Sequence, residues 1–428
     1  MQAALDRTLL LMRTDLLDEV SAEELLCALT ETSVVLSASE DVLLSHSGQT
    51  AFVTAALLLA RSGHCVRLDA PNVDIIGNQP PLRRDRLIDG LLEVGADLLP
   101  GCSFTTGMSD RSADLVVCIG QHSSKAEAAD RIFVTADDWS AQISGGEELA
   151  WNGGEWPLGA FAAAALIAGE VFKVSMRRLR DHAKNAPLFE DLYAPARSAC
   201  VRLAPAETPH ATSLDAIDLI SGGAIGNSFL YTLLRLPRCS AEIRVMDDDE
   251  SALSNLNRNA LLRRSRIDIP KVEDLASFAV DRIAIKPLVH RYGGEEDPDL
   301  ADTVIVGVDH IPSRWSAQRS RPTWLGVGAT EGFSVQVSHH RPGQACAQCL
   351  HPEDAPIDGP IPTVAFVSFW AGLLLAADLI RKTAGTLPSD NEQQVFLPAL
   401  RPESWDYAHS PINPRAGCPN CAELGVVS

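Results

Sequence analysis

Residues 216–249 read AIDLISGGAIGNSFLYTLLRLPRCSAEIRVMDDD, and the order of residue types in them decides the fold class. AIDLI is a short apolar run, SGGAIGN is a glycine-rich turn, SFLYTLLRL carries a helical run, and AEIRVMDDD is a β-rich run that ends on aspartates. Strand, turn, helix and strand in that order are half of a βαβ unit, the building block of a doubly wound parallel sheet.

The same plan occurs earlier in the chain. AFVTAALLLARSG (51–63) leads as a helix into CVRLDA (65–70), a strand ending in Asp69. ADLVVCIGQH (113–122) matches ADTVIVGVDH (301–310), and the Ala-rich AAAALIAGEVFK (162–173) matches GLLLAADLIRK (372–382). We expect an internal duplication of one α/β domain, with domains at 1–195 and 196–428 and a linker near 185–212; chance similarity between two doubly wound domains is the alternative. The copies differ chemically. Where the second has SGGAIGN the first has SHSGQT (45–50), where the second strand ends on Asp309 the first ends on Gln121, and APNVDIIGNQ after Asp69 lacks an NLNR segment. The expected architecture is two tandem Rossmann-like domains, the first an inactive scaffold and the second equipped for chemistry.

Composition narrows the function. Thirty-six basic against fifty-six acidic residues give a formal charge of −20, which repels phosphate backbones and argues against nucleic-acid binding. No run of about 18 uncharged apolar residues appears, and the N-terminus lacks the core of a signal peptide, so we expect no membrane span and a cytoplasmic protein.

A glycine-rich turn opening a helix lets backbone N–H groups approach phosphate, although here Ser221 stands where the dinucleotide fingerprint has its first glycine. Asp247, about 20 residues on, suits a ribose in NAD or ATP alike. Asn255, Arg258 and Lys271 suit a triphosphate, whose charge must be clamped; each alone reads equally as solvated surface. Asp309, at the carboxyl edge of the sheet, is placed to hold Mg²⁺ or to cap the helix beginning at HIPSRW. CAQC (Cys346, Cys349) and CPNC (Cys418, Cys421) offer four thiolates to one tetrahedral zinc ion, with redox dithiols as the alternative. Cys27, Cys65, Cys102 and Cys118 read as small core residues.

Taken together, residues 214–421 resemble the adenylating domain of the ubiquitin-activating superfamily, which includes the thiamine and molybdopterin sulfur-carrier adenylyltransferases (ThiF- and MoeB-like). SGGAIGN falls at its glycine turn, DDDESALSNLNRN at its Asp-x-Asp and Ser-Asn-Leu-Asn-Arg, DIPK at its lysine, VDHIPSR at its Asp-x4-Arg, and CAQCLHP with CPNC at its zinc knuckles. The resemblance implies Gly223 and Gly226 at the phosphates, Asp247 on ribose and Asp249 near the ATP. It implies Asn255, Arg258 and Lys271 on the triphosphate, with Arg258, Lys271 and Asp309 catalytic and Asp309 on magnesium. It also implies ATP, Mg²⁺ and Zn²⁺ as cofactors, and attack on ATP by the C-terminal carboxylate of a ubiquitin-like protein. An inactive copy before an active one, in a short chain, looks most like the compact activating enzymes of bacterial ubiquitin-like conjugation systems, antiphage ones included, with a conjugating enzyme as the next partner. A peptide-modifying adenylyltransferase and a catalytically dead scaffold are the competing readings. The segment 350–372 contains no cysteine for a thioester, which leaves Cys200, in the expected linker, and Cys239 outside the zinc pairs. Arg7 and Arg13 both lie where a partner domain lends an arginine to the ATP site, and the sequence does not choose between them.

Overall fold

The computed structural model describes all residues except 17–19, 108–111, 122–123, 206–212, 295, 353–358, 389–391, 403–404, 407–408 and 426–428. His122, the last seven residues of the expected linker (206–212) and part of the cysteine-free segment fall outside the described residues.

Two eight-stranded sheets lie in tandem. The first contains β1 (Ser33–Ala38), β2 (Cys65–Asp69), β3 (Thr105–Thr106), β4 (Ala113–Ile119), β5 (Ala128–Ala136), β6 (Ser140–Ser144) and β7 (Ser198–Arg202). The second contains β8 (Ser213–Ile220), β9 (Ser240–Met246), β10 (Ile283–Leu288), β11 (Thr303–Val306), β12 (Trp324–Glu331), β13 (Ser334–His340) and β14 (Glu392–Pro398). Two short strands, β15 (Trp405–Asp406) and β16 (Ser410–Pro411), extend the first and second sheet respectively.

The spatial order is β3-β2-β1-β4-β5-β6-β7 in one sheet and β10-β9-β8-β11-β12-β13-β14 in the other, the same order twice. Directions repeat too. The first five strands of each are parallel and the next two antiparallel. A long buried helix, Leu158–Arg177 or Ala365–Thr383, sits between the sixth and seventh strands of each copy. Repetition of order, direction and helix position favours duplication over chance.

These helices and two others, His46–Arg61 and Ala224–Leu233, are buried on nearly every face, which explains why their sequences are apolar all round. Leu158–Arg177 is long and apolar enough to cross a membrane by composition, but 94% of its most apolar window is buried inside the protein. Phe161, Tyr231 and Phe369 meet at ring-centroid distances of 6.0, 6.1 and 5.7 Å, joining the halves. Each buried ring contributes roughly 1.5–3 kcal/mol. Gly372 lets the helices approach, because a Cβ there would lie 2.5 Å from the Phe229 nitrogen.

Two buried arginines tie each half to the other's loop. Arg61, closing helix His46–Arg61, donates to the carbonyls of Leu256, Ala260 and Leu262 at 2.7, 2.9 and 2.6 Å. Arg235, just beyond helix Ala224–Leu233, donates to Gln79 Oε1 at 2.9 Å and to the Pro80 carbonyl, and its guanidinium lies 3.5 Å from the Tyr231 ring centroid.

Several expectations need correction. The segment taken for a linker carries helix Phe189–Leu192 and β7, which completes the first sheet beside β6. Cys200 is therefore an exposed strand residue, on the outward phase of the alternation along β7. Cys27 and Cys65 are also exposed, whereas Cys118 is buried and Cys102 partly so. Cys65 opens β2 on its outward phase, and its Sγ donates to the Thr30 carbonyl at 2.9 Å. Asp309 does not end a strand: β11 stops at Val306, and the aspartate stands three residues further, in the loop before helix Ile311–Arg319. It does not cap that helix either, since the N-cap is His310 with no side-chain cap bond.

Candidate active site

At the end of β8 the chain turns sharply. Ser221 adopts φ 109°, a conformation that favours glycine, and its Oγ accepts from the Gly223 N–H at 2.9 Å. The fingerprint's first glycine is thus missing while its backbone geometry is kept. Helix Ala224–Leu233 follows, with Gly223 as N-cap. Gly226 does not line the site. It lies in the first turn of this helix, where a Cβ would come within 2.1 Å of the Ser221 carbonyl oxygen, so its role is to let turn and helix close up. Asn227 locks that turn from below, its Nδ2 donating to the carbonyl of Gly222 at 2.7 Å.

The acidic run meets the turn directly. Asp247 Oδ2 accepts from the Gly222 N–H at 2.8 Å, and Oδ1 accepts from the Asp249 N–H at 2.9 Å. Lys271, opening helix Lys271–Ala276, is brought alongside because Glu250 and Pro270 form an antiparallel bridge. Its ammonium lies 2.5 Å from Asp249 Oδ2 and 3.4 Å from Asp247 Oδ1. Asn255 shapes the SNLNR turn, its Oδ1 accepting from the Ala252 N–H at 2.9 Å. Asn257, which the sequence did not single out, reaches the other half and donates to Thr8 Oγ1 at 3.0 Å.

Gly223, Asp247, Asp249, Asn255, Arg258, Lys271 and Asp309, all singled out in the sequence, line one cavity of about 390 Å³. That volume lies within the usual span of small-molecule sites, roughly 300–1,000 Å³. Arg7 enters the same cavity from the first half, whereas Arg13 is not among its lining residues. Ser221, His290 and Thr363 also line it. Ser221 belongs to the glycine turn already noted, whereas His290 and Thr363 were missed because neither belongs to a motif; for Arg7 the signal was a basic residue in a helix, and Arg13 shared it.

The electrostatics favour an anion. Burial, and after it the charge of Arg7, lower Arg258 to about 10, with Asp6 and Asp309 acting the other way. Two guanidiniums that line one cavity and repel each other gain from a negative group bound there. Arg7 donates to the Ile361 carbonyl at 3.3 Å, yet its Nε is buried without a hydrogen-bond partner. Arg314, the last residue of VDHIPSR, is buried and donates to the Val308 carbonyl from Nε at 3.1 Å and from a terminal nitrogen at 2.8 Å. It holds the loop that carries the exposed Asp309.

The four cysteines come together elsewhere in the second half. Cys346 Sγ lies 3.7, 3.4 and 3.3 Å from those of Cys349, Cys418 and Cys421, and Cys349 lies 3.3 Å from Cys421. Thiolates at about 2.3 Å from a tetrahedral ion are roughly 3.8 Å apart, so the cluster could hold zinc after a slight expansion. The Arg415 N–H donates to Cys349 Sγ at 3.2 Å, a bond that favours a thiolate. Burial and the neighbouring sulfurs push the Cys346 thiol well up, a trend that a bound cation reverses.

Sequence comparisons agree with this geometry. Residues 33–188 match the model of the BilD N-terminal domain and residues 217–420 that of the ThiF family. The chain is 26% identical over 227 residues to y4jF of Sinorhizobium fredii, described as uncharacterized, covering 51% of this chain and 43% of that protein. It is 27% identical over 199 residues to the SAMP-activating enzyme E1 of Haloferax volcanii, covering 44% of this chain and 73% of that enzyme. The aligned part thus spans less than half the length of the first of these relatives. Among solved structures it is similar to Escherichia coli MccB with selenomethionine MccA, at 14% identity and a TM-score of 0.39, covering 68% of this chain and 97% of that one. The chain carries a ThiF family domain over residues 217–420, joined to a BilD N-terminal domain over residues 33–188.

Proposed function

We propose that this chain adenylates the C-terminal carboxylate of a ubiquitin-like protein with ATP, as the activating step of a bacterial ubiquitin-like conjugation pathway. The observation that carries the reading is one cavity in which the glycine turn, the Asp247–Lys271–Asp249 cluster and cations from both halves, Arg7 and Arg258, converge. A dinucleotide oxidoreductase has no need of two arginines in that cavity. The matched ThiF family and the relative named as a SAMP-activating enzyme E1 support the same reading.

In this scheme Asp247 accepts from the ribose hydroxyls, and the turn at Gly223 faces the phosphates. Asn255, Arg258, Lys271 and Arg7 bind and orient the triphosphate. Lys271, drawn from Asp249, is free to follow charge onto the pyrophosphate. Magnesium, when bound, would neutralise phosphate charge, and the exposed Asp309 carboxylate in the loop held by Arg314 is the residue to hold it. The substrate's carboxylate oxygen forms a bond to the α-phosphorus as the bond to the bridging oxygen breaks. Pyrophosphate leaves and an acyl-adenylate remains. Zinc in the four-cysteine cluster would anchor the C-terminal segment, and residues 1–195, with β7 just beyond that border completing their sheet, serve as the inactive partner of the active unit that follows. The setting is the cytoplasm, a conjugating enzyme is the next partner, and antiphage defence is the use that the family resemblance favours.

ATP–pyrophosphate exchange by the purified chain, with a ubiquitin-like protein from the same genome, tests the proposal. Exchange that requires the intact C-terminus of that protein is expected. Exchange supported by a short peptide and by no ubiquitin-like protein would establish peptide adenylation in its place.

A further inference from the structure

Away from both the cavity and the cysteine cluster, three side chains from distant parts of the second half meet in the interior. They are His339 on β13, Asp378 on helix Ala365–Thr383, and His409 just ahead of β16. His409 Nε2 lies 3.2 Å from Asp378 Oδ1, and His339 Nδ1 lies 3.9 Å from Asp378 Oδ2. One ligand atom from each residue lies within 4.8 Å of the other two. The side chains are at most 1% exposed.

Hydrogen bonding accounts for the pair His409–Asp378 and does not account for His339. Both ring nitrogens of His339 are buried and have no hydrogen-bond partner. Its ring stacks at 18° on Trp324 and stands edge-on to His409, contacts that a phenylalanine would supply without burying two polar atoms. An unsatisfied buried nitrogen costs roughly 1–3 kcal/mol.

The geometry points to a second metal site in this chain, in which His339, Asp378 and His409 bind a first-row divalent cation such as zinc. Ligands about 2.0–2.1 Å from a tetrahedral zinc ion lie roughly 3.4 Å apart, and the separations of 3.2 and 3.9 Å from Asp378 to the two histidines bracket that value. Two imidazoles and a carboxylate suit zinc and its neighbours rather than magnesium or calcium, which take oxygen. A site this buried is structural. It joins a strand, the central helix and the chain ahead of CPNC, so the C-terminal segment is anchored to the core at two points. The inference does not depend on the proposed adenylation.

The test is metal content of the full-length chain by multi-element mass spectrometry, before and after treatment with an organic mercurial that displaces thiolate-bound metal only. Two equivalents of divalent metal are expected, one released by the mercurial and one retained until a strong chelator is added. His409→Ala and Asp378→Asn should each leave a single, mercurial-releasable equivalent. A parent chain holding at most one equivalent, or two that the mercurial releases together, overturns the site, and so does a His409→Ala variant that keeps both. The mercurial partition is read on the parent chain, so a variant that fails to fold does not remove the test.

Discussion

Arg61→Met isolates what the first half does for the site. The guanidinium is fully buried and donates three hydrogen bonds of 2.6–2.9 Å to carbonyls between Leu256 and Leu262, in the segment that continues from Asn255 and Arg258. Hydrogen bonds from a charged donor contribute about 1.5–3 kcal/mol each, an upper sum of roughly 5–9 kcal/mol. Burial opposes this, lowering the arginine to about 10, and methionine recovers part of the packing. Removing the charge while its buried partners stay should therefore cost about 3–5 kcal/mol, the range for breaking a buried charged contact. At about 2–4 °C per kcal/mol for a unit of 150–250 residues, the melting temperature should fall by roughly 6–20 °C. Scanning calorimetry reads the stability; exchange kinetics well below the new melting temperature read the site. KM for ATP should rise because the turn that presents Arg258 loses its backing. Arg61→Lys, which cannot span three carbonyls, should recover less than half of the loss. A melting temperature within 2 °C of the parent together with an unchanged KM would show that these carbonyls do not depend on Arg61, and the reasoning would fail.

Other perturbations follow from the same geometry. Arg7→Ala should raise KM for ATP by about 10- to 100-fold, the equivalent of one charge-assisted contact, with the fold intact by circular dichroism; an unchanged KM would remove Arg7 from the site. Asp309→Asn should lower the maximal exchange rate by about 100-fold or more at saturating magnesium, and near-parental exchange would rule out its metal role. Cys418→Ser should abolish the thiolate-bound zinc equivalent and expose the C-terminal segment to protease, with a parental digestion pattern counting against it. Burial lowers His64 to about 4 against an ordinary 6.5. The unfolded chain therefore binds a proton between those values that the folded chain does not, and stability is lost as pH falls from about 6.5 to 4. The loss from this residue is about 3 kcal/mol, and His64→Gln should flatten that part of a stability–pH curve.

The fold was largely legible because its signals are local. Glycine turn, apolar helix and aspartate-ended strand each announce themselves within ten residues, and the repeat of the pattern foretold two sheets whose shared strand order the sequence could not give. The cavity's own motifs were legible for the same reason. What escaped depends on contacts between distant segments. Arg7 is set apart from Arg13 by its place in the cavity and its bond to the Ile361 carbonyl, and Arg61 reads as an ordinary helix-ending cation until its three carbonyl partners are seen. Ser221 looked like a departure from a fingerprint, yet the backbone there is bent as a glycine would be. Cys27 and Cys65 were misjudged because a thiol in an apolar run can point either way, and the phase of the strand or helix decides. The supposed linker lacked periodicity because β7 is five residues long and alternates only twice.

The two arginines explain why a half without the site's chemistry stays folded against one that has it. Arg61 ends its helix and Arg235 stands just beyond the corresponding one, and each donates to oxygens in the other half's loop beyond the second strand. The interface is reciprocal; the sites are not. In the first half the counterpart of Asp247 is Asp69, whose carboxylate is already taken by the hydroxyls of Ser37 and Ser124. The position matching the glycine turn holds Ser45 and Gly48, bonded to each other and packed against the Val42 carbonyl. Spending these groups on internal bonds stabilises the first half and closes its site. Its remaining contribution crosses the interface: Arg7 into the cavity, Thr8 onto Asn257, and Arg61 beneath the turn that carries Arg258. On the proposed function, the second site is incomplete without the N-terminal helix, so a change in either half that disturbs Arg7, Thr8 or Arg61 should be read out at that one site.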